Sequence, residues 1–172
     1  KVAGLQNLVA LGLAGNRLGG DGGAALARAL VFTPHLQNLN LKNNQIGDEV
    51  IVIIAESIKS WAQNTEVDGH AFDLRSIDLS YNELYDNGAF AISDIIVRNP
   101  LMSELSLTYN KITEYGLRNI CDSFGRLPSL RVLRIAYNSV GTLGGLCIAE
   151  IIAKCPLLRY IDARENRIGT QA

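Results

Sequence analysis

Apolar and polar residues follow one pattern that returns six times along the chain. Each copy has leucine-type residues at its first, fourth, sixth and eleventh positions and asparagine at its ninth; the first copy has Leu8, Leu11, Leu13, Asn16 and Leu18. In the Leu-x-Leu part the two apolar side chains are two residues apart, so they point to one face of a short strand. The pattern therefore predicts six short strands, one in each copy.

An asparagine stands at the ninth position of every copy. The spacing between successive asparagines is 28 residues, except for one interval of 38. The six residues are Asn16, Asn44, Asn82, Asn110, Asn138 and Asn166. An amide at the point where the chain leaves the strand can bond the backbone of its own loop and of the next repeat. We predict a structural asparagine ladder that runs through the array.

The second half of each copy predicts a helix. Apolar residues fall eight and twelve positions after the last motif residue, and this step of four keeps them on one helical face. The pairs are Leu26 and Leu30, Ile54 and Ile58, Ile92 and Ile96, Ile120 and Phe124, and Ile148 and Ile152. A small residue follows the first member of each pair. Cys121 has this position in the fourth copy, so we predict that it is buried.

The complete frame, Leu-x-x-Leu-x-Leu-x-x-Asn-x-Leu, covers essentially all 172 residues and resembles the leucine-rich repeat family. The 28-residue length resembles its ribonuclease-inhibitor-like subclass, to which the Ran GTPase-activating proteins and the repeat arrays of innate immune receptors belong. The resemblance implies an α/β solenoid shaped like a horseshoe, with parallel strands on the concave side and helices on the convex side. It also implies that partners bind the concave face.

We expect residues 1–172 to form one array of six repeats that is a segment of a longer array, because the first seven residues are too few for a cap and the sixth copy stops before its helix. The 38-residue interval places an insertion at 59–73, in the second repeat. The insertion contains Trp61, the only tryptophan, and His70. Insertions between repeats form loops that often bind partners. Packing of Trp61 on a longer helix is the alternative.

The strand positions between the motif residues are the candidates for partner binding. Tyr81, Tyr109 and Tyr137 precede the asparagine in three successive copies, where strand spacing would set them about 5 Å apart. Such a row is either a binding surface or a cross-strand stack that stabilises the sheet. The further candidates are Asp78, Glu104, Arg134, Tyr160, Asp162 and Arg164. Their mixed charge suits protein recognition, and a solvated surface without a partner remains the alternative.

Composition and charge exclude several classes of protein. The net charge of −1 argues against nucleic acid and anionic membranes as partners, and no apolar run reaches the length of a membrane span. The three cysteines do not suggest a disulfide scaffold, so we expect reduced cysteines and a cytoplasmic protein. Gly88, Gly116 and Gly144 share a register with Gly22, which favours a structural turn over a phosphate loop.

Candidate chemistry is sparse. The two histidines and three cysteines have no metal-ligand spacing, and no nucleophile motif or pair of carboxylates points to catalysis. We therefore expect no catalytic, cofactor-binding or metal-binding residue, no small-molecule substrate and no enzyme.

The leading functional hypothesis is a non-catalytic protein-interaction module or scaffold. Two alternatives stay open. The resemblance to Ran GTPase-activating proteins implies a regulator of a small GTPase, although only by analogy. A structural component of a cytoskeletal or axonemal complex is the other, and an apolar convex surface would favour it.

Overall fold

The computed structural model describes residues 7–64 and 73–169, which form six repeats of strand and connecting segment. The strands are β1 (Ala10–Gly12), β2 (Asn38–Asn40), β3 (Ser76–Asp78), β4 (Glu104–Ser106), β5 (Val132–Arg134) and β6 (Tyr160–Asp162). They make one parallel sheet in the order of the sequence. Equivalent repeat positions pair, as Leu105 does with Leu133. The fold is the predicted α/β leucine-rich repeat solenoid, with strands on the concave side and helices on the convex side.

Five helices connect the strands. They are α1 (Gly19–Ala29), α2 (Asp48–Asn64), α3 (Asp86–Arg98), α4 (Glu114–Ser123) and α5 (Gly141–Lys154). Short 3-10 turns at Leu30–Phe32 and Phe124–Arg126 extend α1 and α4. In the repeats that contain Pro34, Pro100, Pro128 and Pro156, the helical segment ends two residues before the proline, as expected of a residue that cannot continue a helix.

The core lies between the sheet and the helices. It contains the central strand residues, such as Leu39 and Leu105, together with the paired helix residues Ile92 and Ile96. Cys121 is fully buried in this layer, as predicted. Burial raises the pKa of its thiol to about 12, because a thiolate is poorly solvated there.

The apolar pairs predicted to share one helical face are not equally buried: in α5, Ile152 is exposed and Ile148 is only half-buried. In α3 the equivalent residues, Ile92 and Ile96, are buried, and α3 packs between α2 and α4. Among the described residues α5 packs on α4 alone, so Cys147 and Ile151 are buried and the other side of the helix is uncovered. The register is buried where the helix of the following repeat covers it, as α2 does for Leu30, which is buried although α1 has no described helix on its other side.

Acidic residues at the helix starts join consecutive repeats. Asp48 accepts the backbone N–H of Tyr85 at 2.7 Å, and Asp86 accepts the N–H and hydroxyl of Thr113 at 2.8 and 2.6 Å. A Cβ on Gly88 or Gly116 would collide with the carboxylate of Asp48 or Asp86, respectively. The interpretation of these glycines as turn residues is wrong: they lie in the first turns of helices and allow the close approach of the neighbouring repeat.

Candidate binding surface

The outward side chains of the strands line a concave groove of about 300 Å³. Its lining includes Asn40 and Ser76 in the centre, with Asp78, Glu104 and Arg134 further along the array. At its β1 end the groove is lined by Ala10 and Gly12, so this end offers little side-chain surface. The alternation within each strand, with one buried residue between two outward ones, produces this surface.

Charged and aromatic side chains are in contact across β4, β5 and β6. Arg134 lies 3.7 Å from the Glu104 carboxylate, and its guanidinium stands 5.5 Å from the ring centroid of Tyr160. Asp78, on β3, accepts the backbone N–H of Ser80 at 2.9 Å. The structure thus brings the predicted residues Glu104, Arg134 and Tyr160 together, while Asp78 stands apart from them in the same groove.

Asp162 and Arg164 form a pair at the end of the sheet. The carboxylate of Asp162 is 8% exposed and accepts two hydrogen bonds from the Arg164 guanidinium, both at 2.8 Å. These bonds hold the pKa of Asp162 below its usual value. Asp162 was expected to contact a partner directly, but its carboxylate is occupied by Arg164. The Arg164 side chain, 73% exposed, is the accessible member of the pair.

Tyr81, Tyr109 and Tyr137 lie at the rim of the sheet, three residues beyond the strand ends. Their φ angles are 56°, 55° and 54°, in the left-handed region. The same register holds Gly15, Asn43 and Glu165, also with positive φ. The prediction that these tyrosines are strand residues is therefore wrong, because the chain has already turned out of the strand when it reaches the position before the asparagine.

The three tyrosine rings stack on one another. Ring centroids are 4.3 Å apart between Tyr81 and Tyr109 and 4.1 Å apart between Tyr109 and Tyr137, with interplanar angles of 18° and 10°. Lys42 places its ammonium 5.1 Å from the Tyr81 ring centroid and so covers that end of the row. The tyrosines remain 38–44% exposed. Burial and a hydrogen bond with Tyr137 raise the pKa of Tyr109. We call these three residues the tyrosine row.

The asparagine ladder lies beneath the tyrosine row, one residue further along each repeat. Asn110 donates to the carbonyls of Leu79 and Leu107 at 3.1 and 2.9 Å and accepts from the N–H of Leu84 at 3.2 Å. Asn44, Asn82 and Asn138 make equivalent bonds, and Asn166 makes the donor bonds. The bonds between repeats run to the preceding repeat, not to the next as expected. The first residue, Asn16, has only its own loop carbonyls as acceptors.

Two serines of neighbouring repeats are nearly buried beside the concave groove, which Ser106 also lines. Ser80 and Ser106 are 3% and 7% exposed, and their hydroxyls share a hydrogen bond of 2.7 Å. Ala136, in the same register as Ser80, is fully buried. The register of Ser80 is not buried in every repeat, because Lys42 and Arg164 hold it elsewhere in the array and are exposed.

The insertion is only partly described. The helix α2 continues through Trp61 to Asn64 and is the longest of the described helices. The Trp61 side chain and the whole of His70 lie outside the described residues. Among residues 7–64 and 73–169, no group of three or more His, Cys, Asp or Glu residues is placed to hold a metal ion. No helix in these ranges has the length and hydropathy needed to cross a membrane.

Comparisons with known proteins give a family model and a similar solved structure. The model described as "Leucine Rich repeat" matches residues 4–27, 33–49, 70–93 and 126–149, together just over half of the chain. A solved structure entitled "Leiomodin-1 Actin-Binding Site 2 (ABS2)" is similar, with a TM-score of 0.62 and 20% identity, over 83% of this chain and 78% of that chain. At this identity the likeness concerns the fold. No curated protein has significant sequence similarity to the chain.

Proposed function

The chain belongs to the leucine-rich repeat family, and we propose that it is a non-catalytic protein-interaction module whose binding surface is the concave groove together with the tyrosine row. The 28-residue spacing supports assignment to the ribonuclease-inhibitor-like subclass. The six-stranded sheet supports one array over residues 1–172 with an insertion at 59–73. The three cysteines are free and buried, which supports a reducing, cytoplasmic environment.

The backbone conformation of the tyrosine row is the observation that carries the proposal. A left-handed conformation is easy for the glycine and asparagine that hold this register in the first two repeats, whereas for a tyrosine it costs about 1–2 kcal/mol. Each stack recovers about 0.5–1.5 kcal/mol, and the three residues make only two stacks. Stacking thus at best offsets the strain, so stability alone gives no reason for three exposed tyrosines here.

The chemistry of the row suits a protein partner. Stacked rings cover one another's faces, so a partner meets their edges and hydroxyl groups, which combine apolar area with hydrogen-bonding capacity. Lys42 at one end of the row, and Glu104 and Arg134 in the adjacent groove, add charges of both signs, and the ring of Tyr160 lies beside Arg134. A surface of this mixed kind selects protein partners by charge complementarity, whereas a phosphate backbone would favour a single positive field.

The experiment is partner capture followed by a binding measurement. A photo-crosslinking amino acid at position 109 in the full chain identifies what contacts the row by mass spectrometry. Binding of that protein is then measured with wild type and with the variant Tyr81→Asn, Tyr109→Asn, Tyr137→Asn. Asparagine occupies this register as Asn43, so the variant retains the backbone geometry. The proposal expects at least a tenfold loss of affinity, as for removal of hot-spot residues.

The control is the double variant Leu143→Ser, Leu146→Ser, which changes two exposed apolar residues of α5 on the convex side. Its affinity should equal that of wild type. If the tyrosine variant also binds with wild-type affinity, the tyrosine row is not the binding surface. If the captured partner is a small GTPase, a GTP hydrolysis assay decides whether the module also activates it.

A structural role in a cytoskeletal assembly is a second candidate. The convex side exposes Val52, Phe90, Leu143 and Leu146, which accords with contacts on both sides of the array. The similar solved structure is named for an actin-binding site. Co-sedimentation with actin filaments and the kinetics of actin polymerisation, each measured with the full chain, test this role. Absence of both binding and a kinetic effect at micromolar concentration rejects actin as the partner.

A further inference from the structure

The outer faces of α2 and α3 form a groove on the convex side. Val52 and Ile53 line it from α2, and Asn87 and Phe90 line it from α3. Phe90 is 58% exposed, and Val97, two turns further along α3, is also exposed. The space is about 610 Å³. A large aromatic side chain at an exposed helix position contributes little to folding, so its apolar surface is available to a partner.

Carboxylates flank this groove on both helices. Glu49 and Glu56 stand three residues before and four residues after Val52, and Asp94 stands four residues after Phe90, so each lies on the same helical face as the apolar residue. All three are exposed, and none has an ion pair within residues 7–64 and 73–169. Lys59 and Arg98, the next basic residues along the two helices, do not pair with them in these ranges.

The outer faces of α4 and α5 differ in charge. Arg118 pairs with Asp122 at 3.4 Å and with Glu150 at 2.8 Å, and Lys154 pairs with Glu150 at 3.2 Å. The hydrogen bonds from Arg118 and Lys154 hold the pKa of Glu150 low. Acidic charge on this half of the convex side is therefore neutralised by the chain itself. Leu143 and Leu146 are as exposed as Phe90, so what distinguishes the α2–α3 groove is apolar surface combined with uncompensated acidic charge.

We propose that the α2–α3 groove is a second docking site, which takes an amphipathic helix from a partner protein with basic residues beside its apolar stripe. The apolar stripe of such a helix would cover Val52, Ile53 and Phe90. Lysine or arginine at its margins would meet Glu49, Glu56 and Asp94 and would speed association. The site lies on helices whose cores are buried, so it is rigid before binding.

A second copy of this chain fits the groove poorly. A symmetric dimer places the same patch of both subunits face to face. Glu49, Glu56 and Asp94 would then meet the same carboxylates of the other subunit, and like charges brought together oppose association. The charge pattern thus favours a basic partner over self-association.

The test uses two synthetic helical peptides of about 18 residues. Both have leucines at i, i+3, i+4 and i+7 spacing; the flanking positions are lysine in one peptide and glutamate in the other. Binding to the full chain is measured by fluorescence anisotropy, and the site is located by backbone amide NMR shifts. The lysine peptide should bind with shifts on α2 and α3, and the glutamate peptide should bind at least tenfold more weakly.

Four variants locate the interaction. Phe90→Ala should lower the affinity for the lysine peptide at least tenfold. Leu146→Ala, which changes an equally exposed apolar residue on α5, should leave this affinity unchanged. The triple variant Glu49→Lys, Glu56→Lys, Asp94→Lys should reverse the preference toward the glutamate peptide. The variant with three asparagines in the tyrosine row should bind the lysine peptide with wild-type affinity. Loss of peptide binding to the α2–α3 groove can therefore be told apart from loss of partner binding to the tyrosine row.

Several results overturn the proposal. They are absence of lysine-peptide binding at millimolar concentration, equal affinity for the two peptides, equal affinity of wild type and Phe90→Ala, or NMR shifts confined to α4 and α5. Sedimentation of wild type as a dimer that Phe90→Ala dissociates also overturns it, because a second copy would then be the occupant.

Discussion

Two registers that are neighbours in every repeat behave in opposite ways. The asparagine register is the same residue in all six repeats, and from Asn44 onward its side chain is buried and bonded to the preceding repeat. The residue before it has the same left-handed backbone in all six repeats, yet it is glycine, asparagine, tyrosine or glutamate, and it is exposed at the three tyrosines. The scaffold requires one side chain at the first register and only a backbone angle at the second. The second register is therefore available for recognition.

The asparagine register should carry the largest stability effect. Asn110→Ala leaves the buried Leu84 N–H without its acceptor. It also removes one of the two asparagine donors on each of the Leu79 and Leu107 carbonyls, which Asn82 and Asn138 still bond. The unpaired N–H costs about 1–3 kcal/mol and each lost carbonyl bond adds about 0.5–1.5 kcal/mol, so we expect the free energy of unfolding to fall by about 2 kcal/mol or more. Chemical denaturation measures it.

Asn16→Ala is the matched control, because Asn16 is exposed and its side chain donates to its own loop, while its backbone N–H, which bonds Asn44, is kept in the variant. Its loss should be below about 1 kcal/mol. Equal losses for the two variants would mean that the bonds between repeats do not account for the constancy of this register.

Substitution of a glycine that packs against the preceding repeat should have the next largest effect on stability. A methyl group on Gly116 would overlap the Asp86 carboxylate and press against Ile112 and Ala89. Gly116→Ala should therefore lower the free energy of unfolding by about 1–3 kcal/mol, the usual cost of overpacking. Gly125→Ala, whose added methyl group meets no atom within 4 Å, should change it by less than about 0.5 kcal/mol. Thermal unfolding of the two variants side by side checks the difference.

The Asp162–Arg164 ion pair should make a small contribution to stability that is lost in acid. Arg164 lowers the pKa of Asp162, so the pair contributes stability above the usual aspartate pKa of about 3.9, and this contribution is lost as the pH falls through the lower folded value. Arg164→Gln should cost less than about 1 kcal/mol at pH 7. Its unfolding temperature should fall less steeply than that of wild type below about pH 4.

Arg159→Gln serves as the control, since Arg159 is exposed and has no ion pair in the described part of the chain. It should leave the acid dependence of unfolding unchanged. If Arg159→Gln and Arg164→Gln give the same acid profile, the Asp162–Arg164 pair does not affect stability.

Features that repeat within one copy were predictable from the sequence. The strands, the asparagine register and the burial of Cys121 follow from positions that recur at a fixed offset, because each repeat buries the same face. The prolines likewise mark the helix ends, since a proline's effect on the backbone is local.

Features that depend on contacts between repeats were not predictable. Whether Ile148 and Ile152 are buried depends on a helix beside α5, which their own register does not reveal. The glycine at 116 has its reason in Asp86, thirty residues earlier and on another helix. The left-handed turn at the tyrosine register lies in the same loop as the asparagine. In the sequence it is indicated only by the glycine and the asparagine that hold this register in the first two repeats, since these residue types adopt positive φ most easily.

The measurement that most directly tests the contrast between the two registers is the triple variant Tyr81→Asn, Tyr109→Asn, Tyr137→Asn, assayed for stability and partner affinity on the same sample. Because stacking at best offsets the backbone strain, the free energy of unfolding should not fall by more than about 1 kcal/mol below that of wild type. Affinity for the crosslinked partner should fall at least tenfold. Unchanged affinity together with a large loss of stability would contradict the account, because the tyrosine row would then serve the fold as the asparagines do.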